Sequence, residues 1–287
     1  VSGGDGNYLI SNHLVDMFEQ GSMSEISVTV FVGMLLAAVL GYAVRHVPAL
    51  IRHGPDQQED SQEGYVVSAV LGLLALLLGF TFSLALDRFE ERRQMVLEES
   101  NAIGTAYLRA QLVPEPSRAE LSQTLIDYTN NRLELSRLEG GEAGLPEHME
   151  RNDALLTELW ARTVRMTDSV GSNPITALVA SSINSVIDMD AARKNARMAK
   201  VPSAVYSVLL VYLLMSAGIL GYTLINVWVR IAAVVLFVLF TMSLILIVDI
   251  DRPLVGHLRE QQKPMEDLQA FMQTAPPARF HSPAVTN

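Results

Sequence analysis

The chain has 287 residues, of which 49% are hydrophobic and only 18% charged, whereas a soluble domain carries about a quarter charged residues. The apolar residues are gathered in uncharged blocks, which argues against an ordinary water-soluble enzyme. There is no cysteine, which removes disulfides, cysteine-zinc sites, thiol nucleophiles and iron–sulfur clusters together. The formal charge of −10, from 21 basic and 31 acidic residues, argues against a nucleic-acid partner, which requires clustered Lys and Arg.

In chain order, an N-terminal segment (1–25) holds no Lys or Arg. It therefore lacks the positive region of a cleaved signal, and the apolar stretch after it is read as a retained helix. A membrane helix needs about 20 apolar residues. Transmembrane helices one and two are expected at 26–45 and 65–86, inside a membrane region 26–86. The run Val201–Val248 holds 48 residues with one charge, Arg230, too long for one crossing of a core about 30 Å thick. It is expected to turn near Asn226 and give helices three and four at 203–224 and 229–248, within 203–248. Arg230 then lies at a water interface, where its long side chain can snorkel.

Orientation follows the basic residues at the span ends. Segment 87–202 has fourteen of them, with Arg88, Arg92 and Arg93 after span two and Arg193, Lys194, Arg197 and Lys200 before span three. The outward loop 45–64 has only Arg45 and Arg52, against Asp56, Glu59, Asp60 and Glu63. Segment 87–202, both termini and the tail 249–287 are therefore expected in the cytoplasm, and the protein in the plasma membrane.

Segment 87–202 has a helical period. Span two continues to about Val113, where Pro114 and Pro116 break it. Ser117 is the expected N-cap of the next helix, with Glu120 at capping-box spacing, and Leu121, Leu125, Tyr128 and Leu133 form its apolar stripe. A loop at Gly140–Gly144 precedes a helix from Pro146 through Leu155, Leu156, Leu159 and Trp160. Asn173-Pro174 reads as an N-cap with Pro at the first helical position, opening a helix with Leu178, Ile183, Val186 and Ile187. The tail from Thr274, with Pro276, Pro277 and Pro283, is expected to be disordered.

No phosphate loop, G-x-S-x-G, G-x-G-x-x-G or H-E-x-x-H is present. None of the six histidines has metal-ligand spacing, so no metal, cofactor or catalytic residue is expected. Asp249 and Asp251 could form a cation site, but Arg252 follows directly and favours an interfacial salt-bridge cluster.

Span two carries Ser68, Gly72, Ala75, Gly79 and Ser83 at spacings of 4, 3, 4 and 4. These small residues share one face, beside Leu76 and Phe80. Two readings stay open: close helix packing in lipid, which spacing alone favours, or a narrow pore whose apolar residues form a constriction.

The run Leu78-Gly79-Phe80-Thr81-Phe82-Ser83-Leu84-Ala85-Leu86-Asp87-Arg88-Phe89, continuing Glu90-Glu91-Arg92-Arg93, resembles the bestrophin signature. So do Asn101-Ala102-Ile103-Gly104-Thr105-Ala106-Tyr107 and Asp249-Ile250-Asp251-Arg252-Pro253, which are similar to segments of bacterial bestrophin-like membrane proteins. The order of spans also agrees. The resemblance implies an all-α membrane protein with four transmembrane helices and a helical cytoplasmic domain. It implies a homopentamer conducting small monovalent ions, with a neck lined by Gly72, Leu76 and Phe80, and Asp87, Arg88, Arg92, Asp249, Asp251 and Pro253 as motif residues. Gly72 departs from the family's bulky residue there, and Glu90 replaces an aromatic. The family's calcium clasp is matched only at Asp249 and Asp251, so calcium activation is not expected. The family favours anions such as chloride, whereas the outer loop's net −2 favours cations locally. The partners implied are further copies of the chain, the lipid bilayer and small ions. The competing reading is a non-conducting scaffold or sensor that couples the membrane to the cytoplasmic helices.

Overall fold

The computed structural model describes residues 21–46, 57–138, 144–223, 227–252, 258 and 260–280, with the backbone alone at 57–63 and Val229. The first twenty residues, most of the outer loop, the glycine loop before Gly144, the turn at Asn226, Pro253 and the last seven residues lie outside them.

Among the described residues the regular structure is helical. The helices are α1 (Met23–Arg45), α2 (Gln57–Ala110), α3 (Ser117–Arg137), α4 (Leu145–Val170), α5 (Pro174–Met198), α6 (Ser203–Thr223), α7 (Val227–Asp251), α8 (Lys263–Thr274) and the single turn α9 (Pro277–Phe280). Four segments are long and apolar enough to cross a membrane: Met23–Arg45, Arg230–Asp251, and stretches within Gly64–Ala110 and Pro174–Thr223. The chain divides into two compact units, one formed by residues to Asp87 with Lys200–Arg252, the other by Arg88–Ala199 with most of the tail.

In the first unit α1 begins earlier than expected because Ser22 forms a capping box. Its hydroxyl accepts from the Glu25 amide at 3.1 Å, and its own amide donates to the Glu25 carboxylate at 2.9 Å. Ile26, Val30 and Met34, four apart, are the buried edge of α1, facing a core that includes Leu209, Leu213 and Ala217 of α6. Small residues bring α1 and α6 together. A Cβ added to Gly221 would lie 1.9 Å from the Ala38 carbonyl oxygen, and one added to Gly41 would lie 1.9 Å from that of Gly218. The backbones therefore touch, as small residues permit in lipid. Sequence spacing points to span two for such packing, but within the protomer the close contact is between α1 and α6.

The second unit has a soluble-type core. Ile103, Ala106 and Tyr107 of α2, Leu121, Leu125 and Tyr128 of α3, Leu155, Leu159 and Met166 of α4, and Val179, Ile183 and Val186 of α5 are buried together. On the same two helices Trp160 and Leu178 are more than two-fifths exposed, because they fall just off the buried stripes of α4 and α5. Asn173 caps α5 as expected: its side chain accepts from the amides of Ile175 and Thr176 at 2.9 and 3.0 Å. Ser117 does not cap α3. The helix follows Pro116 with no side-chain bond at that residue, and the Glu115 carboxylate accepts from the Ala119 amide at 3.1 Å. The carboxylate reaches the helix's positive end and supplies the missing acceptor.

Part of the tail joins this core. Residues 263–274 are the amphipathic helix α8, which buries Met265, Leu268 and Met272 in this core. The chain turns again at Pro277–Phe280, inside the stretch expected to be disordered. The Tyr107 hydroxyl donates to the Ala275 carbonyl at 2.9 Å, and the Tyr107 ring meets Phe271 edge-on at 6.4 Å.

Candidate functional site

The 54-residue helix α2 carries two kinds of face. One is buried, with Leu74, Leu78, Thr81 and Ala85 repeating at four, three and four residues. The other holds Ser68, Gly72, Ala75, Leu76, Gly79, Phe80 and Ser83, all exposed in the protomer. Leu76 is 54% and Phe80 65% exposed. A Cβ at Gly72 or Gly79 would meet nothing within 4 Å. The face with the expected neck and small residues is thus apolar, smooth and uncovered by its own chain.

The motif residues that follow separate into two environments. Asp87 is exposed, and Arg88 pairs with Glu91 at 3.0 Å on the half-exposed side of the helix. Arg92, one turn on, is buried, and its Nε lies 2.8 Å from Glu260 Oε1. At the end of α7 the Asp251 carboxylate accepts from the Val201 amide at 2.9 Å and from the Tyr206 hydroxyl at 3.0 Å. It therefore fastens the entry to α6. Arg252 donates to the Gly21 carbonyl at 2.6 Å. Asp249 is buried at the same helix end, and Pro253 lies outside the described residues.

The second unit holds a buried ionic network that patterning did not flag. Glu99 of α2 has no exposed surface. Its carboxylate accepts from the Tyr128 hydroxyl at 2.7 Å, from Arg132 Nη2 at 3.1 Å and from Arg193. Arg132 also lies 3.4 Å from Asp190, which accepts from Asn152 at 3.0 Å and pairs with Lys194 at 2.8 Å. Lys194 reaches on to Asp153 at 2.6 Å, and Arg193 donates to Gln262 at 3.0 Å. Helices α2, α3, α4 and α5 and the segment before α8 are joined through these side chains.

Burial alone would push the Glu99 carboxyl up, but Arg132, Arg193 and the Tyr128 hydrogen bond outweigh it and hold the group down at about 2. Burial and the Glu99 carboxylate push the Tyr128 phenol well above its ordinary range. Burial, together with Arg193 and Arg132, lowers Arg197 to about 10. At neutral pH Glu99 is ionised, Tyr128 is neutral and Arg197 remains charged. These three groups keep one protonation state around pH 7, and their contacts tie helices together. Among the described residues no three His, Asp or Glu side chains gather as metal ligands. His148 bonds Asn131 at 2.9 Å.

A sequence signal for the network does exist. Glu99, Arg132, Asp190 and Arg193 each sit at core register: Val96-Glu99-Ile103, Tyr128-Arg132 and Val186-Asp190-Arg193 are spaced by three or four. A charge on the apolar stripe of a helix calls for a buried partner, but the spacing does not say which one.

These features define a helical, multi-span membrane protein whose long second helix also enters a charged helical unit. The chain belongs to the Bestrophin-like domain family, which matches residues 27–265. No curated protein matches it in sequence. Among solved structures it resembles two substituted forms of a bacterial bestrophin homologue from Klebsiella pneumoniae. One shares 13% identity over 88% of this chain and 99% of that one, with a TM-score of 0.61. The other shares 14% over 86% and 99%, with the same TM-score. A further structure, described as a membrane protein, shares 14% over 84% and 98%, with a TM-score of 0.58. At these identities the likeness establishes the fold.

Proposed function

We propose that the chain is one subunit of an ion channel in which copies of α2 surround a central axis. Gly72, Leu76 and Phe80 line its neck, and Ser68, Ala75, Gly79 and Ser83 give the helices room to approach. Five copies form the ring, and small monovalent ions pass, anions such as chloride being preferred over cations. The termini and the charged helical unit face the cytoplasm from a bacterial inner membrane, and the protein carries out no catalysis.

The observation that carries this reading is the exposure of Leu76 and Phe80 beside an open run of small residues on the helix that bears the family motif. An apolar ring passes ions when wetted and blocks them when dry. Gly72 brings no side chain, so this neck has two bulky rings, Leu76 and Phe80. The network at Glu99 lies farther along the same helix and gives the pore helix a firm base.

A second reading is favoured by that same continuity. A helix carrying both an uncovered face and a buried ionic anchor could report membrane state to the helical unit without conducting. Purified protein in planar bilayers separates the two. The channel reading expects discrete single-channel currents whose amplitude or open time rises in Phe80→Ala. Electrical silence from a monodisperse, folded oligomer would favour the scaffold.

A further inference from the structure

At one end of the first unit, α1 and α7 leave a groove of about 230 Å³ between them. Its walls have the same spacing on both helices. Leu35, Ala38, Val39 and Tyr42 line it from α1 at i, i+3, i+4 and i+7, and Arg230, Ala233, Val234 and Phe237 line it from α7 at the same intervals. One face of each helix therefore frames it. Phe237 is buried at 2% exposure, whereas Val39 and Val234 are 64% and 40% exposed. The floor is closed and the sides are open.

The mouth of the groove differs from its length. The Arg230 guanidinium sits 4.4 Å from the Tyr42 ring centroid, a cation–π stack on the groove's own wall. One helical turn beyond Tyr42, Arg45 stacks on Tyr222 at 5.5 Å and donates to the Tyr222 carbonyl at 2.8 Å. Trp228 is 78% exposed at the first turn of α7. Tyr, Trp and snorkelling Arg mark the headgroup level of a bilayer. The cations therefore lie where lipid phosphates lie, and the apolar groove runs from there toward the hydrocarbon core.

We propose that this groove seats one anionic phospholipid, its phosphate on Arg230 and part of one acyl chain against Phe237 between α1 and α7. The chemistry is complementary at both ends. A guanidinium fork matches phosphate oxygens, and a groove walled by alanine, valine, leucine and phenylalanine at membrane depth accepts a hydrocarbon chain. The bound lipid fills the seam between the first and last spans, where side chains of the protomer leave it open.

The test uses the full chain in detergent, delipidated and titrated with phosphatidylglycerol, with native mass spectrometry reading retained lipid. Diacylglycerol, glycerol 3-phosphate and inorganic phosphate are the comparison probes. Saturable retention of phosphatidylglycerol is expected. Arg230→Gln, at an exposed position, should weaken it about tenfold, the equivalent of one charge-assisted hydrogen bond. Val234→Trp should also weaken it, by filling the groove with the charge intact. Unchanged retention in either variant, once shown to be folded by circular dichroism, overturns the proposal. Equal retention of diacylglycerol overturns the role of Arg230. Displacement of the lipid by inorganic phosphate alone would show a free-anion site instead. A changed number of subunits per particle in Val234→Trp, with no lipid retained by the unsubstituted chain, would show that a second copy fills the groove.

Discussion

Glu99 is a carboxylate with no exposed surface, held by two guanidiniums and a phenol. Its worth is best seen by removal, because breaking one side of a buried ionic cluster strands the other. Glu99→Gln keeps the shape but leaves Arg132 and Arg193 facing a neutral amide. It should cost about 3 kcal/mol or more, read as a lowered urea or thermal midpoint followed by the fluorescence of Trp160. The pH dependence has a definite sign. The carboxyl is held at about 2 against an ordinary 4.5, so its stabilisation is complete above 4.5 and drains away as pH falls toward 2. The unfolding midpoint of the natural chain should decline across that window, and Glu99→Gln should lack this part of the decline. Gly221 makes a second residue-scale case. A side chain there would collide with the Ala38 carbonyl. Gly221→Val should destabilise the protein through overpacking by about 1–3 kcal/mol, read as a lowered melting temperature in detergent. Gly79→Ala has open space beside it within the protomer, so a lowered melting temperature there would report a contact of α2 with a second copy.

At the scale of elements, α8 shows how much of the second unit depends on a segment that reads as tail. Its Met265, Leu268 and Met272 recur at three and four residues and close the core over Tyr107 and Gly104. Burying such side chains is worth about 1.5–3 kcal/mol each. Leu268→Asp would place an unpaired charge at an 8% exposed site. It should loosen this unit selectively: protease cleavage should accelerate within α3 to α5, while the helices of the first unit stay protected. Uniform cleavage of both units would contradict the division. Helix α2 is the contrasting element. Its exposed and buried faces alternate along a single run, and α2 is anchored twice beyond Asp87, by Arg92–Glu260 and at Glu99.

For the whole molecule, the arrangement of subunits is the first condition for conduction. A channel requires α2 faces from several subunits around one axis, and cryo-electron microscopy of the detergent-purified protein should show a fivefold ring with α2 innermost. In that ring Phe80→Ala should widen the narrowest point and raise unitary current. A particle with lipid or other helices at its centre would remove the basis for conduction.

The sequence by itself determined the membrane class, the four crossings and the helical character of the segment after Asp87, because long uncharged runs and three-to-four residue periodicity are local properties of the chain. It also carried the small-residue face of α2 and the cap at Asn173. Tertiary structure decided the rest. Glu99, Arg132, Asp190 and Arg193 lie far apart in the chain, and only packing brings opposite charges to one point. The same applies to the α1–α6 contact through Gly41, Gly218 and Gly221, to Glu115 in place of Ser117 as the acceptor at α3, and to α8. Periodicity marks which side of a helix is buried, but its partner is set by long-range packing that no local pattern encodes.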